Sequence, residues 1–480
     1  MNPYNVLPLF RQGVFHGKNA NIHLFCVGRR YISMTKDMTQ GSPLKLLLAF
    51  AVPLMLGSLF QQFYNLADTI IVGRFVGVEA LAAVGSVGGL NYLVLGFVNG
   101  IACGFSIPIS WTFGAHDHHE MRRYTANTVW LSIAFATVLT IVTVAMTRLV
   151  LVWTNTPADI IDLADVYIRT IFAGIPFTLL YNVTSALMRA LGDSKRPLYF
   201  LLVASVLNIG LDPLLIFVFD LGVAGAAWAT IISQFAGFCL LLAGCTRGAT
   251  LHIHISRVQL KWSYFKLIIQ GGLPSLARQS LASVATICLN HAAMPYGDAA
   301  IAAMGVVQRI TTFGASAMIG FGQGFQPVCG FNYGARLYHR VKEGFWFCVK
   351  VAAVFLLVIG ALGFAFAPQL IALFRDDPGV IAIGTVALRF QCVTFFFQAW
   401  ITMSNMMLQT IGRTVPATFV AMARQGIFFI PLVWLLSLSP LGLLGVQMAQ
   451  SVSDLLTLAA AVPIQLYVLR QMSQMQPAKV

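Results

Sequence analysis

Ala80-Leu-Ala-Ala-Val-Gly85 returns 220 residues later as Ala300-Ile-Ala-Ala-Met-Gly305. The same offset carries Gly100-Ile-Ala-Cys-Gly104 onto Gly320-Phe-Gly-Gln-Gly324 and Phe113-Gly114-Ala115 onto Tyr333-Gly334-Ala335. It also carries Gly192 onto Gly412 and Leu221-Gly-Val-Ala-Gly225 onto Leu441-Gly-Leu-Leu-Gly445. Lys45 before Pro53 is echoed by Lys266 before Pro274, at an offset of 221. One such match is chance, but a colinear set across half the chain is a duplication.

The material between these matches is apolar. Of 480 residues, 58% are hydrophobic and 10% charged, where soluble domains carry about 25% charged residues. Mean hydropathy is +0.79. Such a chain lacks the polar groups to cover itself in water and needs none in lipid. A spanning helix takes about 20 mostly apolar residues. Apolar runs between polar breaks predict spans at 45–70, 80–112, 124–153, 163–188, 197–219 and 223–246. A second set falls at 264–291, 300–331, 343–370, 380–409, 415–437 and 443–468. Pro53, Pro108, Pro274 and Pro327 inside these runs predict kinks.

Six spans per repeat is an even number, so both halves share one orientation, related by an axis along the membrane normal. The expected fold is an all-α polytopic membrane protein of twelve transmembrane helices in two parallel-repeat six-helix bundles. Residues 1–39 read as a cytoplasmic tail, 40–250 as the amino-terminal lobe, 251–468 as the carboxyl-terminal lobe with its linker, and 469–480 as a second tail. Parallel duplication of this kind serves alternating access, in which two lobes rock about a central cavity.

The net charge of +14 is a topological signal. With the amino terminus inside, 20 of the 30 basic residues fall in inside loops and tails, and only Arg74, Arg148 and Arg375 fall opposite. That bias places both termini in the cytoplasm of a cell whose plasma membrane the chain spans, and it excludes nucleic acid as a partner. There is no phosphate-binding Gly-x-x-x-x-Gly-Lys-Ser/Thr loop, no loop long enough for a nucleotide domain, and no nucleophile–base constellation, so neither an enzyme nor an ATP-driven pump is expected. The eight cysteines show no paired spacing, and no disulfide, metal site or cofactor is expected. His116, His118 and His119 beside Asp117 and Glu120 read as a solvated loop. Residues 1–33 receive no function; a disordered tail and a true start at Met34 both stay open.

Three segments resemble the multidrug and toxic compound extrusion (MATE) family. They are Gly320-Phe-Gly-Gln-Gly-Phe-Gln-Pro-Val-Cys-Gly-Phe-Asn-Tyr-Gly-Ala335, the stretch Pro53–Gly73 with Gln61-Gln62-Phe63-Tyr64-Asn65-Leu66-Ala67-Asp68, and Arg189-Ala-Leu-Gly-Asp-Ser-Lys-Arg-Pro197. The resemblance covers residues 40 to 468. It implies two six-helix bundles in a V, and efflux of amphipathic, often cationic, small compounds in exchange for H+ or Na+.

Few acids sit within or at the edge of the spans, and Asp68, Asp212 and Asp454 are the clear cases. An intramembrane charge costs about 2.5–3.5 kcal/mol on insertion scales, so each is a functional candidate. Asn208 precedes Asp212 by one helical turn and shares its face. Pro213 weakens the local ladder, and a carboxylate desolvated there can load and release a proton. Thr230 in the next span offers a hydroxyl. The resemblance implies that Asn208, Asp212 and Thr230 form the family's amino-terminal-lobe cation site and that Asp68 is the acidic residue of helix one; a cap near the outer rim is the plainer role for Asp68. Span 7 carries Arg278 and no acid, so the carboxyl-lobe acidic site of other branches is absent. Proton and sodium both remain open as coupling ion.

Asp454 is expected to pair with Arg278 or Arg424. Arg309 is read as cavity-facing or internally paired, and Gln323 and Gln326, with Asn332, as substrate contacts or as polar glue between helices. Met403, Met406 and Met407, with Phe395-Phe396-Phe397, are candidate walls of a promiscuous cavity, with ordinary packing or lipid contact the plainer role for each residue singly. A monomer is expected. The alternative function is a flippase for lipid-linked sugars, which would need a cationic cavity drawing on Arg278, Arg309, Arg389 and Arg424.

Overall fold

The computed structural model describes residues 38–75, 78–154, 156–247 and 261–475. Twelve helical rods run through them. The first half holds α1 (Pro43–Phe75), α2 (Val78–Phe105, continued by Ile107–Gly114), α3 (His118–Trp153), α4 (Ile161–Ala173 and Ile175–Ala190), α5 (Lys195–Pro213, ending in a π-turn at Leu214–Val218) and α6 (Gly222–Arg247). The second holds α7 (Trp262–Ala293), α8 (Asp298–Gly334), α9 (Tyr338–Ala365), α10 (Pro378–Thr394 and Phe397–Thr410), α11 (Thr414–Met422, a π-turn at Ala423–Ile427, then Phe429–Ser437) and α12 (Leu443–Gln474). A short helix, Ala367–Phe374, separates α9 from α10. The last helix outruns its expected span, and Met472 beyond residue 468 is buried. The segment 1–33 lies outside the described residues.

Eight of the rods are long and apolar enough to cross a membrane as they stand, and ten are when the bent pairs within α4 and α10 each count as one span. The two left over are α7 and α8. Their length suffices; their polarity does not, because they carry Arg278, Gln279, Gln308, Arg309, Gln323 and Gln326. Helices of this kind need protein or water rather than lipid around them.

The breaks fall where backbone donors are missing, with one exception. The α2 break at Ser106 is followed by Pro108, and the 44° bend in α4 at Gly174 is followed by Pro176. The 58° bend of α10 has no proline, only Phe395-Phe396. Pro53, Pro274 and Pro327, by contrast, lie inside unbroken helices. The duplication extends to backbone conformation. Gly192 and Gly412 both end a helix in the left-handed region, at φ 90° and 77°, where glycine carries no Cβ penalty.

The lobes meet along a seam in which α1 packs on α8 and α2 on α7. Its sequence signature is the repeated glycine pair. A methyl group at Gly104 would overlap the Gly272 backbone, and one at Gly324 would overlap Ala51. Gly100 faces Ser275 and Leu276, and Gly320 faces Leu54 and Met55. These are one contact made twice, since the repeat carries α7 onto α1 and α2 onto α8. Small residues let backbones approach closely where no hydrophobic drive exists between helices in lipid. At the far ends of α2 and α8 the pattern stops: a methyl group placed on Gly85, Gly88, Gly89 or Gly305 would meet nothing within 4 Å. The lobes are joined at the end bearing the basic loops and part toward the other, which gives the V.

At the joined end the lobes also exchange feet. Met38 ahead of α1, and Leu47, Phe50, Ala51 and Leu54 at its start, belong to the carboxyl-lobe core. Tyr264 and Ile268 at the start of α7 belong to the amino-lobe core. The Tyr264 hydroxyl donates to Glu120 Oε2 at 2.8 Å, and Arg123 holds the other oxygen at 2.6 Å. On the opposite side Arg340 donates to Asn332 Oδ1 and to the Gly41 carbonyl, both at 2.9 Å. Glu120 and Arg340 occupy the same repeat position.

Candidate functional site

In the amino lobe, α5 presents Val206 and Leu207 to the outside and turns Asn208 and Asp212 inward; these two are 1% and 0% exposed. Asn208 Nδ2 donates to Thr230 Oγ1 at 3.4 Å, and the Thr230 hydroxyl donates to the Ala226 carbonyl on its own helix at 3.2 Å. The hydroxyl oxygen therefore accepts from Asn208 while its proton is spent on the backbone. Asn208 and Thr230 thus meet between α5 and α6, and Asp212 lies buried one helical turn on from Asn208.

Its framework is legible in the backbone. Pro213 supplies no N–H, and the π-turn at Leu214–Val218 follows at once. A methyl at Gly225 would lie 2.9 Å from the Leu215 carbonyl carbon, so glycine there lets α6 close on the widened turn. Gly445 makes the matching approach to Leu436 in the other lobe. Asp68 lies on α1, and its side chain falls outside the described residues. Its height follows from register. Gly57 faces Leu198 and Leu201 of α5 at 3.2 and 3.7 Å, and α1 and α5 run in the same direction. Eleven residues on along both helices, Asp68 stands level with Ile209 to Asp212.

The carboxyl lobe disposes of its acid differently. Asp454, 1% exposed, pairs with Arg424 at 2.8 Å and accepts from Gln450 at 3.0 Å and Gln398 at 3.4 Å. Ser453 Oγ donates to the Arg424 carbonyl at 2.7 Å, pinning the π-turn that carries this arginine. Of the two partners expected for Asp454, the structure selects Arg424. This cluster ties α10, α11 and α12 together. Removing one member leaves the other buried and charged, which typically costs about 3–5 kcal/mol. Arg424→Gln is expected to lower the thermal unfolding temperature of the purified protein markedly, and Asp454→Asn added to it to recover part of the loss. Equal melting of Arg424→Gln and the parent would refute a structural role.

Arg278 goes elsewhere: its Nη1 donates to Asn405 Oδ1 at 3.0 Å, and Asn405 is oriented by donating to the Ala417 carbonyl at 2.6 Å. Between α2, α4 and α8 lies a small pocket, lined in part by Cys103, Ser106, Ser110, Arg189, Gln323 and Gln326. Gln326 Nε2 donates to Gln409 Oε1 at 3.3 Å, and Gln409 Nε2 donates to the Gly271 carbonyl at 2.7 Å and to Ser275 Oγ at 2.8 Å. Gln323 and Gln326 thus line the pocket, and Gln326 also acts as glue. Sequence reasoning missed Gln409 and Arg189; nothing in a span's composition marks one glutamine as the hub of three helices.

Arg309 is exposed. Met403, Met406 and Met407 correct an expectation. They are 0%, 1% and 0% exposed and pack inside the carboxyl lobe, with Met406 against Gly322 of α8, so they wall no open cavity. Phe395 is likewise buried at 4%. Among the described residues no group of three or more His, Cys, Asp or Glu side chains is arranged to hold a metal ion.

The MatE family profile matches residues 53–214 and again 274–435, one copy in each lobe. The chain belongs to the MatE family. Relatives agree with the assignment. YpnP of Bacillus subtilis, described as a probable multidrug resistance protein, is 30% identical over 75% of this chain and 80% of its own length. The multidrug export protein MepA of Staphylococcus saprophyticus is 24% identical over 90% of this chain and 95% of its own. Among solved structures, the outward-facing conformation of a multidrug resistance MATE transporter superposes with a TM-score of 0.86 at 25% identity, covering 92% of this chain and 99% of that one. A transporter from Pyrococcus furiosus, described as having a binding pocket of reversed polarity, superposes with a TM-score of 0.87 at 25% identity over 92% of this chain and 99% of that one. This MatE protein is therefore a multi-pass membrane transporter with the twelve-helix fold of that family.

Proposed function

We propose that this MatE protein is an ion-coupled antiporter that exports amphipathic small compounds across a bacterial plasma membrane by alternating access. The observation that carries the reading is Asp212, a carboxylate with no solvent exposure inside one of two lobes that are sealed at one end and parted at the other. The sealed end bears the basic loops, so it is taken as cytoplasmic, with both termini there. Proton or sodium loading at Asp212, with Asn208 and Thr230 as neutral partners and Asp68 at the same height, alters the packing of α1, α5 and α6. Because the foot of α1 is rooted in the other lobe, a shift in α1 reaches the seam directly. Export is then driven by return of the ion. The names of YpnP and MepA support multidrug export as the activity.

The flippase reading loses two of the four arginines it would draw on. Arg424 is paired with Asp454, and Arg389 stacks over the Phe364 ring at 5.3 Å. Dye efflux from everted vesicles, with the pH and sodium gradients collapsed separately, tests the proposal. Efflux is expected to stop with one of the two. Efflux that survives loss of both, or that requires ATP, would remove ion coupling.

A further inference from the structure

One helical turn from Thr230 toward the basic end, the two lobes fill the same position differently. The repeat carries Thr230, Ser233 and Gln234 of α6 onto Gln450, Ser453 and Asp454 of α12, and Ala204 of α5 onto Arg424 of α11. In the carboxyl lobe these groups satisfy one another. Arg424 holds Asp454, Gln450 donates to the same carboxylate, and Ser453 donates to the Arg424 carbonyl in the π-turn. In the amino lobe a methyl group replaces the guanidinium. The helix α5 runs through Ala204 without a π-turn, so the Ala204 carbonyl stays in the helical ladder. Ser233 Oγ and Gln234 Oε1 are buried there with no hydrogen-bond partner among the described residues.

A buried polar group left unpartnered costs about 1–3 kcal/mol, and where protein supplies no partner, ordered water does. Ser233 and Gln234 follow Thr230 by three and four residues, so all three share the inner face of α6. One turn of rise is about 5.4 Å, the span of a single water making two hydrogen bonds of about 2.8 Å. Polar groups continue toward the basic end. A methyl group on Gly237, next on that face, would lie 2.9 Å from the Tyr181 ring and 3.3 Å from the Ala204 methyl, so α4, α5 and α6 converge here. Tyr181, Ser185 and Arg189 then descend α4 at four-residue spacing on one face. Arg189 donates to Ser185 Oγ at 2.7 Å and lines the small pocket that Ser106 and Ser110 share at the basic end of the seam. The charged groups on this column are Asp212 at one end, with Asp68 level with it, and Arg189 at the other.

We infer that ordered water held by Ser233 and Gln234 links Asp212 to the basic end, and that the coupling ion, a proton, leaves the buried carboxyl along this column rather than through the space between the lobes. This rests on the ion-coupled reading and narrows it to protons. A proton needs only a hydrogen-bonded chain, whereas a metal cation needs a passage wide enough for its ligands. One proton passes from the Asp212 carboxyl to the water, and one leaves the far end of the chain for solvent. Each intermediate group is left with the protons it began with. Ser233 and Gln234 are thus positioning residues, and the ion and the substrate have separate routes. The carboxyl lobe has no counterpart, because the Arg424–Asp454 pair occupies the equivalent position.

Two measurements on the full chain test this. Radiolytic hydroxyl labelling marks side chains beside bound water. Tyr181 should be oxidised in the parent although it is only 5% exposed, and severalfold more slowly in Ser233→Ala/Gln234→Met. Phe345, with no exposure in the carboxyl lobe, should be labelled equally slowly in both. In proteoliposomes the double variant should slow pH-driven dye efflux about tenfold, the equivalent of about 1.4 kcal/mol, with gradient-free dye equilibration falling far less. Ser233→Thr, which keeps the hydroxyl, should recover most of what Ser233→Ala loses. If the double variant does not fold, Gln234→Met alone, of similar volume, should show both effects in weaker form. Tyr181 labelling that is absent in the parent, or unchanged in the variant, would overturn the inference. Labelling lost with pH-driven efflux at the parent rate would leave a structural water and overturn the relay. Efflux driven by sodium alone would overturn the relay and keep coupled export. Efflux indifferent to both gradients would sink the coupled reading and the relay with it, while labelling that behaves as expected would still uphold the water at Ser233 and Gln234.

Discussion

Asp212→Asn should bring gradient-driven efflux down to that of vesicles lacking the protein, while the variant inserts and melts close to the parent. Asparagine keeps the shape of the side chain and can still hydrogen bond, so the buried site stays filled. What it loses is the ability to exchange a charge for a proton or a metal cation. The cluster predicts a graded series. Thr230→Val removes a neutral oxygen and leaves the carboxylate, so it should shift the ion concentration needed for half-maximal efflux without abolishing transport. Asn208→Ala should do the same more strongly, because Asn208 bridges α5 to α6 at 3.4 Å. Downhill dye equilibration without an ion gradient should survive in Asp212→Asn if the lobes still rock. Efflux and coupling both retained in that variant would remove Asp212 from the mechanism, whatever its burial.

The positions of the spans were readable because the physics that sets them is local. Twenty apolar residues between polar breaks identify a helix in lipid whatever it packs against, and ten of the rods announce themselves so. The two that do not, α7 and α8, were still readable as apolar runs between polar breaks, at 264–291 and 300–331, although the arginines and glutamines they carry lower their apolarity. Burial of Asn208 and Asp212 was foreseeable from one-turn spacing, since a charged face on α5 cannot meet lipid. The methionines of α10 show where this logic ends. Soft side chains at 403, 406 and 407 fit a cavity wall and a close-packed core equally well, and the choice lay with Gly322, which gives Met406 its space on another helix. The ion pair of Asp454 was similarly beyond reach, because the π-turn that turns Arg424 toward it has no local signature in Ala423–Ile427. Repeated glycines occupy the middle ground. Gly100, Gly104, Gly320 and Gly324 were conspicuous as a pattern, but their meaning needed the partner helix.

That meaning leads to the second large effect. Gly104→Ala should reduce transport by an order of magnitude or more and shift the protein away from the state in which the basic end is sealed. The methyl group would meet the Gly272 backbone, which has no rotamer to yield. Overpacking a close contact typically costs about 1–3 kcal/mol, and about 1.4 kcal/mol already moves a two-state equilibrium tenfold. The strain falls only on the sealed state, so folding of each lobe is spared. Cys103 reports the change: in a variant stripped of the other cysteines, a membrane-impermeant maleimide added to the basic face should label Cys103 faster once Gly104 is alanine. Gly324→Ala should repeat the effect against Ala51, because the duplication makes the same contact there. Gly88→Ala, which has nothing within 4 Å, should change neither labelling nor transport. Unchanged labelling in both seam variants, with normal efflux, would show that the glycine contacts are not what holds that end shut.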